Sequence, residues 1–529
     1  MFGCKDVDKS KNRNYFYYNE DQNITTLDPA FVKSQSENWV VAQLFEGLVE
    51  FDDSLHLQPC LAKDWELDST NLVYTFHLRG DAYFHDNAVS GLKNTKITAK
   101  DFVYSFRRIA DPATASPGSW IFNDKMDLSC FSNKGKNTPF PVIALNDSTL
   151  RIILSKPFAP FLGILAMPYC YVIPEKAVNH YGSAFRSNPV GSGPFMLKIW
   201  EEEVEMLLVK NENYYGTQNG KSLPYLDGIV ISQIRNKQTA FMNFAQGRYD
   251  FFNGIDASIK DELLTKSGSL KQKYQERFTL NVAPFLNTEF LGINIDPAFK
   301  SHPLNNKKIR QAINYAIDRK KLVIYLRNNT GFEGVHGFVP PGIPDYQYPK
   351  GYDYNPEKAK TLIKESGIDL SKAPKILLTT TQDYLDIVVF VQKELKAVGI
   401  EMAIDVRPGS FIRQARKDQK INFFRASWIA DYPDPENYLA CFFSPNFSPA
   451  GPNYSHYYNP VFDSLYNRQD TSISERNNNL SKMDSLIVDD APVIFLYYDK
   501  SVRLVQPYVK GLGSNPQNSL KLKTVRKEF

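Results

Sequence analysis

The sequence predicts an α/β fold built from more than one domain. Three observations predict it. Short strand patterns alternate with helix patterns along the whole chain. The 529 residues exceed what one core organises, since domains usually run roughly 100–200 residues. Hydrophobic content is 43% and charged content 23%, the ordinary balance of a globular protein.

The elements follow in order. Leu72 to Leu78 alternates like a half-buried strand. Thr98 to Asp101 fits a capping box, a hydroxyl for the orphan amides and an acid three residues on. The helix it opens carries Phe102, Val103, Phe106 and Ile109. Leu150–Ile153, Val204–Val209 and Ile229–Ile234 read as further strands. Ile309, Ala312, Ile313, Ala316 and Ile317 share one face of a helix predicted over Asn306–Ile324. Pro340-Pro341-Gly342-Ile343-Pro344 is a rigid loop. Pro356–Glu365 and Tyr384–Val398 read as helices, and strands Ile376–Thr379 and Glu401–Val406 flank the second. That βαβ rhythm predicts an α/β lobe in the second half. No internal repeat is present.

Composition narrows the function. With 62 basic and 58 acidic residues, net charge is +4. That balance argues against nucleic acid as a partner. Five cysteines show no CxxC spacing, and the pairing of Cys60, Cys130, Cys170 and Cys441 cannot be deduced. Seven scattered histidines form no HExxH frame, so no metal or cofactor is expected. Asn188 to Phe195 is rich in turn residues, but no Lys-Ser/Thr follows, so a phosphate loop is rejected for a tight turn. His85-Asp86 reads as a polar loop. No nucleophile–base set is evident, which argues against a hydrolase and for a protein that is not an enzyme.

Arg425 to Pro435 carries the most chemistry. It begins as a strand and ends in a Pro-stiffened turn, which presents side chains at a cleft. It contains a cation (Arg425), an indole (Trp428) and a carboxylate (Asp431). A zwitterion such as a peptide needs that set: an acid for the amine, a cation for the carboxylate, apolar walls between. An internal Asp431–Arg425 salt bridge fits the spacing equally well. Asp434 and Glu436, crowded around Pro433 and Pro435, read as loop acids.

The chain resembles the peptide-binding proteins of ABC importers, the family 5 extracellular solute-binding proteins. The ordered matches are Leu27-Asp28-Pro29, Leu44 to Val49, Tyr74 to Arg79, Thr98 to Phe106, Asp111 to Pro117, Asn188 to Phe195, Asn306 to Arg319, Trp428 to Pro435 and Ala491 to Tyr498. The resemblance implies a periplasmic-binding-protein-like fold of the large class II type, with two hinged lobes and three domains. Domain I comprises 15–47, 185–283 and 500–529; domain II is 48–184; domain III, the second lobe, is 284–499. Met1-Phe2-Gly3-Cys4 resembles the end of a bacterial lipoprotein signal whose apolar part has been trimmed. Cys4 is then the lipid-attachment site and residues 1–14 a flexible tether. The implied function is extracytoplasmic, membrane-anchored capture of peptides by a monomer, for delivery to ABC permease subunits. A nickel-chelate or oligosaccharide receptor is the alternative on the same fold.

Residue by residue, the resemblance puts Asp431 at the amine-binding aspartate. Arg425 and Arg416 fall where arginines lie near the ligand's carboxylate. Trp428 falls on a pocket wall, beside Ser427 and Ile429. Ser34 and Gln35 lie where an extended segment pairs with the peptide backbone. Phe285, Asn287 and Phe290 lie near the lobe crossover. The chain departs from the family at Leu385, where some relatives have a histidine, and at Gly409, where a wall tryptophan aligns. Asn287 and Ile429 replace a cysteine pair, and Arg413 either adds a cation that favours acidic side chains or shorter ligands or is a surface arginine. These departures leave peptide length and side-chain preference open.

Overall fold

The computed structural model describes residues 14–132, 138–255, 259–468 and 472–529. Cys4 and residues 1–13 of the expected tether lie outside them. The chain divides into two compact units. Of the described residues, the first holds those within 14–254, 273–281 and 503–529, and the second those within 255–272 and 282–502.

In the first unit, alternation becomes structure at Val73–Leu78, where every second side chain is buried. This strand lies in a four-stranded sheet between Ala62–Leu67 and Thr149–Ile153, with Val142–Asn146 at the edge. The Thr98 box forms: the Asp101 carboxylate accepts the Thr98 amide at 2.8 Å and opens helix Ala99–Ala110. A second sheet is built on Gly228–Ser232. It pairs parallel with Tyr15–Asn19 and antiparallel with Glu205–Lys210. Phe16, Tyr18, Trp39, Leu208, Ile229 and Phe251 fill its core.

The turn at Gly191 to Gly193 lies in this unit. A Cβ on Gly191 would stand 1.9 Å from the Leu44 carbonyl oxygen, which accepts the Ser192 and Gly193 amides. His85 Nε2 lies 2.9 Å from the Gly193 carbonyl oxygen. Burial pulls this imidazole down to about 4, so it stays neutral and braces the turn.

The second unit has the predicted βαβ arrangement. Ile376–Thr380 and Met402–Val406 pair in parallel, Ile376 opposite Met402, with helix Leu385–Ala397 between them in sequence. Strand Phe423–Ile429 joins Ile376–Thr380 in parallel and Thr279–Ile293 antiparallel, Leu291 opposite Arg425 and Asn287 opposite Ile429. Leu291, Ile309, Ile313, Val388 and Leu395 lie in its core. The helix predicted over Asn306–Ile324 is shorter, Lys307–Ala316. Ile317 is extended, and Asp318 caps a new turn by accepting the Lys321 amide at 3.0 Å. The break lets the buried Arg319 donate to the carbonyls of Phe495 and Asn314, both at 2.8 Å.

Candidate functional site

Strand Phe423–Ile429 leads into helix Pro435–Leu439. Asp434 caps that helix by accepting the Glu436 amide at 2.8 Å, and Pro435 occupies the first turn, where a missing N–H is harmless. This turn brings Asn437 back to the strand end. Its Oδ1 accepts the Trp428 indole N–H at 3.0 Å and the Asp431 amide at 3.2 Å. Its Nδ2 points to Asp431 Oδ2 at 3.5 Å, a weak bond. One buried amide therefore sets both the indole and the acid.

Asp431 is open to solvent, yet protein crowds its carboxyl. Desolvation pushes the group above the usual carboxylate range, and only the Asn437 amide opposes it. Among the described residues no cation pairs with Asp431. The neighbouring acids are engaged: Asp434 with Arg476 at 2.7 Å, Glu436 with the hydroxyls of Tyr432 and Tyr466.

The Asp431–Arg425 salt bridge does not form. Arg425 pairs with Glu289 and lies 3.2 Å over the Tyr384 ring. Burial works against its charge, but Glu289 and Tyr384 outweigh burial and hold its pKa above the ordinary value. Asn287 joins this pair to a second one. Its Nδ2 donates to Glu289 at 3.0 Å and to Asp499 at 2.6 Å, and Arg327 donates to Asp499 at 3.1 Å. Arg425 and Asn287 are thus brought together, but into an internal network of two acids and two cations. Burial of such charges demands this mutual pairing.

Arg416 differs. No carboxylate among the described residues pairs with it, and its shielded Nε has no partner. Its guanidinium lies 4.2 Å over the Tyr454 ring, and burial pulls it below its ordinary value. It lines a cavity of about 20 Å³ with Phe290, Phe338, Ser427, Trp428 and Tyr454, room for roughly one water. The buried Cys441 thiol lines it too and is raised mainly by burial, then by Asp431, with Arg416 opposing. It stands within the field of both unpaired charges.

The remaining expected residues fall as follows. Ile429 is exposed at the strand end opposite Asn287, and Phe285 is half-buried in strand Thr279–Ile293. Arg413 is exposed, one turn before Arg416 on helix Gly409–Lys417. Ser34 and Gln35 lie at the start of a helix in the first unit. Ser34 caps helix Gln35–Leu44, and Glu37 accepts the amides of Lys33 at 2.8 Å and Ser34 at 3.2 Å. Both amides are thus engaged within the chain, and the Gln35 side chain accepts from Asn518 at 3.1 Å.

A nucleophile–base set, which the sequence does not reveal, exists in space. Ser448 Oγ lies 3.0 Å from His456 Nε2, and His456 Nδ1 lies 2.9 Å from Asp296. Attack needs a reachable nucleophile and donors for the developing oxyanion. Ser448 is only 3% exposed, and His456 Nε2 also meets the Ser448 carbonyl oxygen at 3.1 Å. The set braces its own loop, in which Asn453 donates to the Asn446 carbonyl at 2.8 Å. That loop carries Tyr454 to Arg416.

Sequence reasoning missed Asn437, Glu289, Phe338 and Tyr454. Only Asn437 left a signal: Asp434-Pro435 starts a helix that must return residue 437 toward the preceding strand.

Comparisons with known proteins identify the family. The family model of bacterial extracellular solute-binding proteins, family 5 Middle, matches residues 56–449. The dipeptide-binding protein DppE of Bacillus subtilis (strain 168) is 24% identical over 98% of this chain and 93% of its own. The periplasmic oligopeptide-binding protein OppA of Salmonella typhimurium (strain LT2) is 27% identical, covering 96% and 91%. The solved structure of the ABC transporter-associated periplasmic binding protein DppA from Helicobacter pylori, in complex with peptide STSA, superimposes with a TM-score of 0.76 at 25% identity. It covers 97% of this chain and 98% of that one. The chain belongs to the bacterial extracellular solute-binding proteins of family 5.

Proposed function

We propose that this protein captures peptides outside the cytoplasm and delivers them to the permease subunits of an ABC transporter. One observation carries the reading: Asp431 is a solvent-open carboxylate with no cation among the described residues, and crowding by protein raises it above the usual range. A carboxylate so placed favours a ligand that brings its own positive charge, and a peptide amine does. Arg416 is its counterpart, a guanidinium without an acid among the described residues, suited to a carboxylate. Trp428, Phe290 and Phe338 supply apolar wall between polar anchors. The relatives' names, dipeptide- and oligopeptide-binding, support the same ligand class. Anchoring through a lipid on Cys4 and action as a monomer belong to the proposal. Among the described residues no helix is long and apolar enough to cross a membrane.

Native mass spectrometry with a mixed peptide pool tests it. Captured peptides are expected. Capture of nickel chelates or oligosaccharides alone would overturn the peptide reading.

A further inference from the structure

Asp484 lies fully buried in helix Ile473–Asp490, 53 residues past Asp431, and its carboxylate is bonded to a loop. Oδ1 accepts the Phe338 amide at 2.6 Å. Oδ2 accepts the Val339 amide at 3.4 Å and the Tyr346 hydroxyl at 3.1 Å. The approach requires Gly337, where a Cβ would stand 2.1 Å from Oδ2. The loop is held from its other side as well. The Gly337 carbonyl accepts the Tyr498 hydroxyl at 2.6 Å, and the Phe338 carbonyl accepts the Thr288 hydroxyl at 2.8 Å. With its backbone fixed, the Phe338 ring packs against Phe290 at 4.9 Å and Phe442 at 4.7 Å. All three rings line the cavity that Arg416 and Trp428 share.

Resting on the peptide-capture reading, we propose that Asp484 is a positioning residue that holds Phe338 in the ligand-facing wall and makes that wall respond to protons. No cation faces the carboxyl among the described residues. The titratable groups around it are the hydroxyls of Tyr346 and Tyr348 from the loop and of Tyr498 from strand Val493–Val505. Burial raises all three hydroxyls, so they stay neutral. Burial raises the Asp484 carboxyl to about 7, with its hydrogen bonds opposing. The site is built to accept that proton. The Tyr346 hydroxyl also reaches the Leu480 carbonyl at 3.4 Å. Donating there frees its oxygen to accept a proton-bearing carboxyl.

The sign follows from linkage. The closed loop holds the proton better than a solvated aspartate, whose pKa is roughly 3.9. Raising pH through neutrality therefore favours opening, by up to about tenfold per pH unit. Acid tightens the wall and alkali loosens it.

Hydrogen exchange over residues 334–346 of the full chain, without peptide, tests the clasp at pH 6 and pH 8. Rates are corrected for base catalysis. Wild type is expected to open roughly threefold to tenfold more at pH 8, and Asp484→Asn equally at both. Equal opening of wild type at the two pH values, or an unchanged pH effect in the variant, would overturn the clasp. Tyr346→Phe keeps the acid and removes its hydroxyl partner, so the midpoint of the exchange transition should move; an unmoved midpoint counts against the proposal.

Calorimetry with tri-alanine tests the ligand-facing part. The peptide amine itself titrates at roughly 7.7–8.0, so wild type and Asp484→Asn are compared with each other at each pH. Their affinity ratio should change several-fold between pH 6 and pH 8. A constant ratio overturns positioning of the wall, and absence of tri-alanine binding in both proteins counts against the peptide reading while exchange still decides the clasp.

Discussion

The Arg425 guanidinium pairs with the Glu289 carboxylate at 2.5 Å, which leaves Asp431 without a cation among the described residues. The pair spans 136 residues and is formed across neighbouring strands, where Leu291 stands opposite Arg425. An arginine that the family resemblance assigns to a ligand carboxylate is here neutralised from within.

Glu289→Gln should therefore destabilise the protein. Removing one partner of a buried pair costs about 3–5 kcal/mol, because the other charge is stranded. Urea unfolding measures it. A loss below about 1 kcal/mol would mean that water reaches Arg425 and replaces the partner.

Asp431→Ala should weaken peptide binding and keep the fold. A charge-assisted hydrogen bond contributes about 1.5–3 kcal/mol, roughly 10- to 150-fold in affinity. Calorimetry reads the affinity and a thermal melt reads the fold.

Peptide affinity should fall as pH drops. The amine needs the ionised carboxylate, and desolvation raises Asp431 above the usual range. Affinity is thus present above the raised pKa and lost on acidification through it, at a higher pH than an ordinary aspartate of roughly 3.9 would give. Titrating the affinity of the Asp484→Asn variant between pH 7 and pH 4 shows it, with the opposing effect of Asp484 removed. A decline confined to the lowest pH would mean that Asp431 is not perturbed.

Asn437→Ala should disturb two groups together. The Trp428 indole N–H and the Asp431 amide lose a shared acceptor. Tryptophan emission should change, and peptide affinity should fall by about tenfold, the value of one lost buried bond. Altered emission with unchanged affinity would separate the indole from the site.

Asp484 adds a pH dependence of stability. Its carboxyl is raised to about 7 in the folded state. Its contribution is present below the unfolded pKa of roughly 3.9 and is lost as pH rises through about 7. From pH 5 to pH 8 wild type should lose more stability than Asp484→Asn. Parallel curves from chemical unfolding would contradict this.

Much of the fold was legible in the sequence because it rests on local pattern. Alternation located Val73–Leu78, and flanking strands located the βαβ unit around Leu385–Ala397. The helix over Asn306–Ile324 was read too long, because apolar spacing continues through Ile317 while the buried Arg319 requires a break. Asp431 was legible as a carboxylate at the end of a strand. Glu289 was not, since strand register alone brings it to Arg425. Nor was Asp484, which in sequence is one more acid on a polar helix. The Ser34-to-Glu37 capping box is likewise a local pattern that the sequence carries.

The most direct measurement is native mass spectrometry of the protein with an equal mixture of free-amine peptides and their N-acetylated forms. If Asp431 holds the ligand's positive charge, the free-amine peptides are captured and the acetylated ones are not. Equal capture of both would contradict the account.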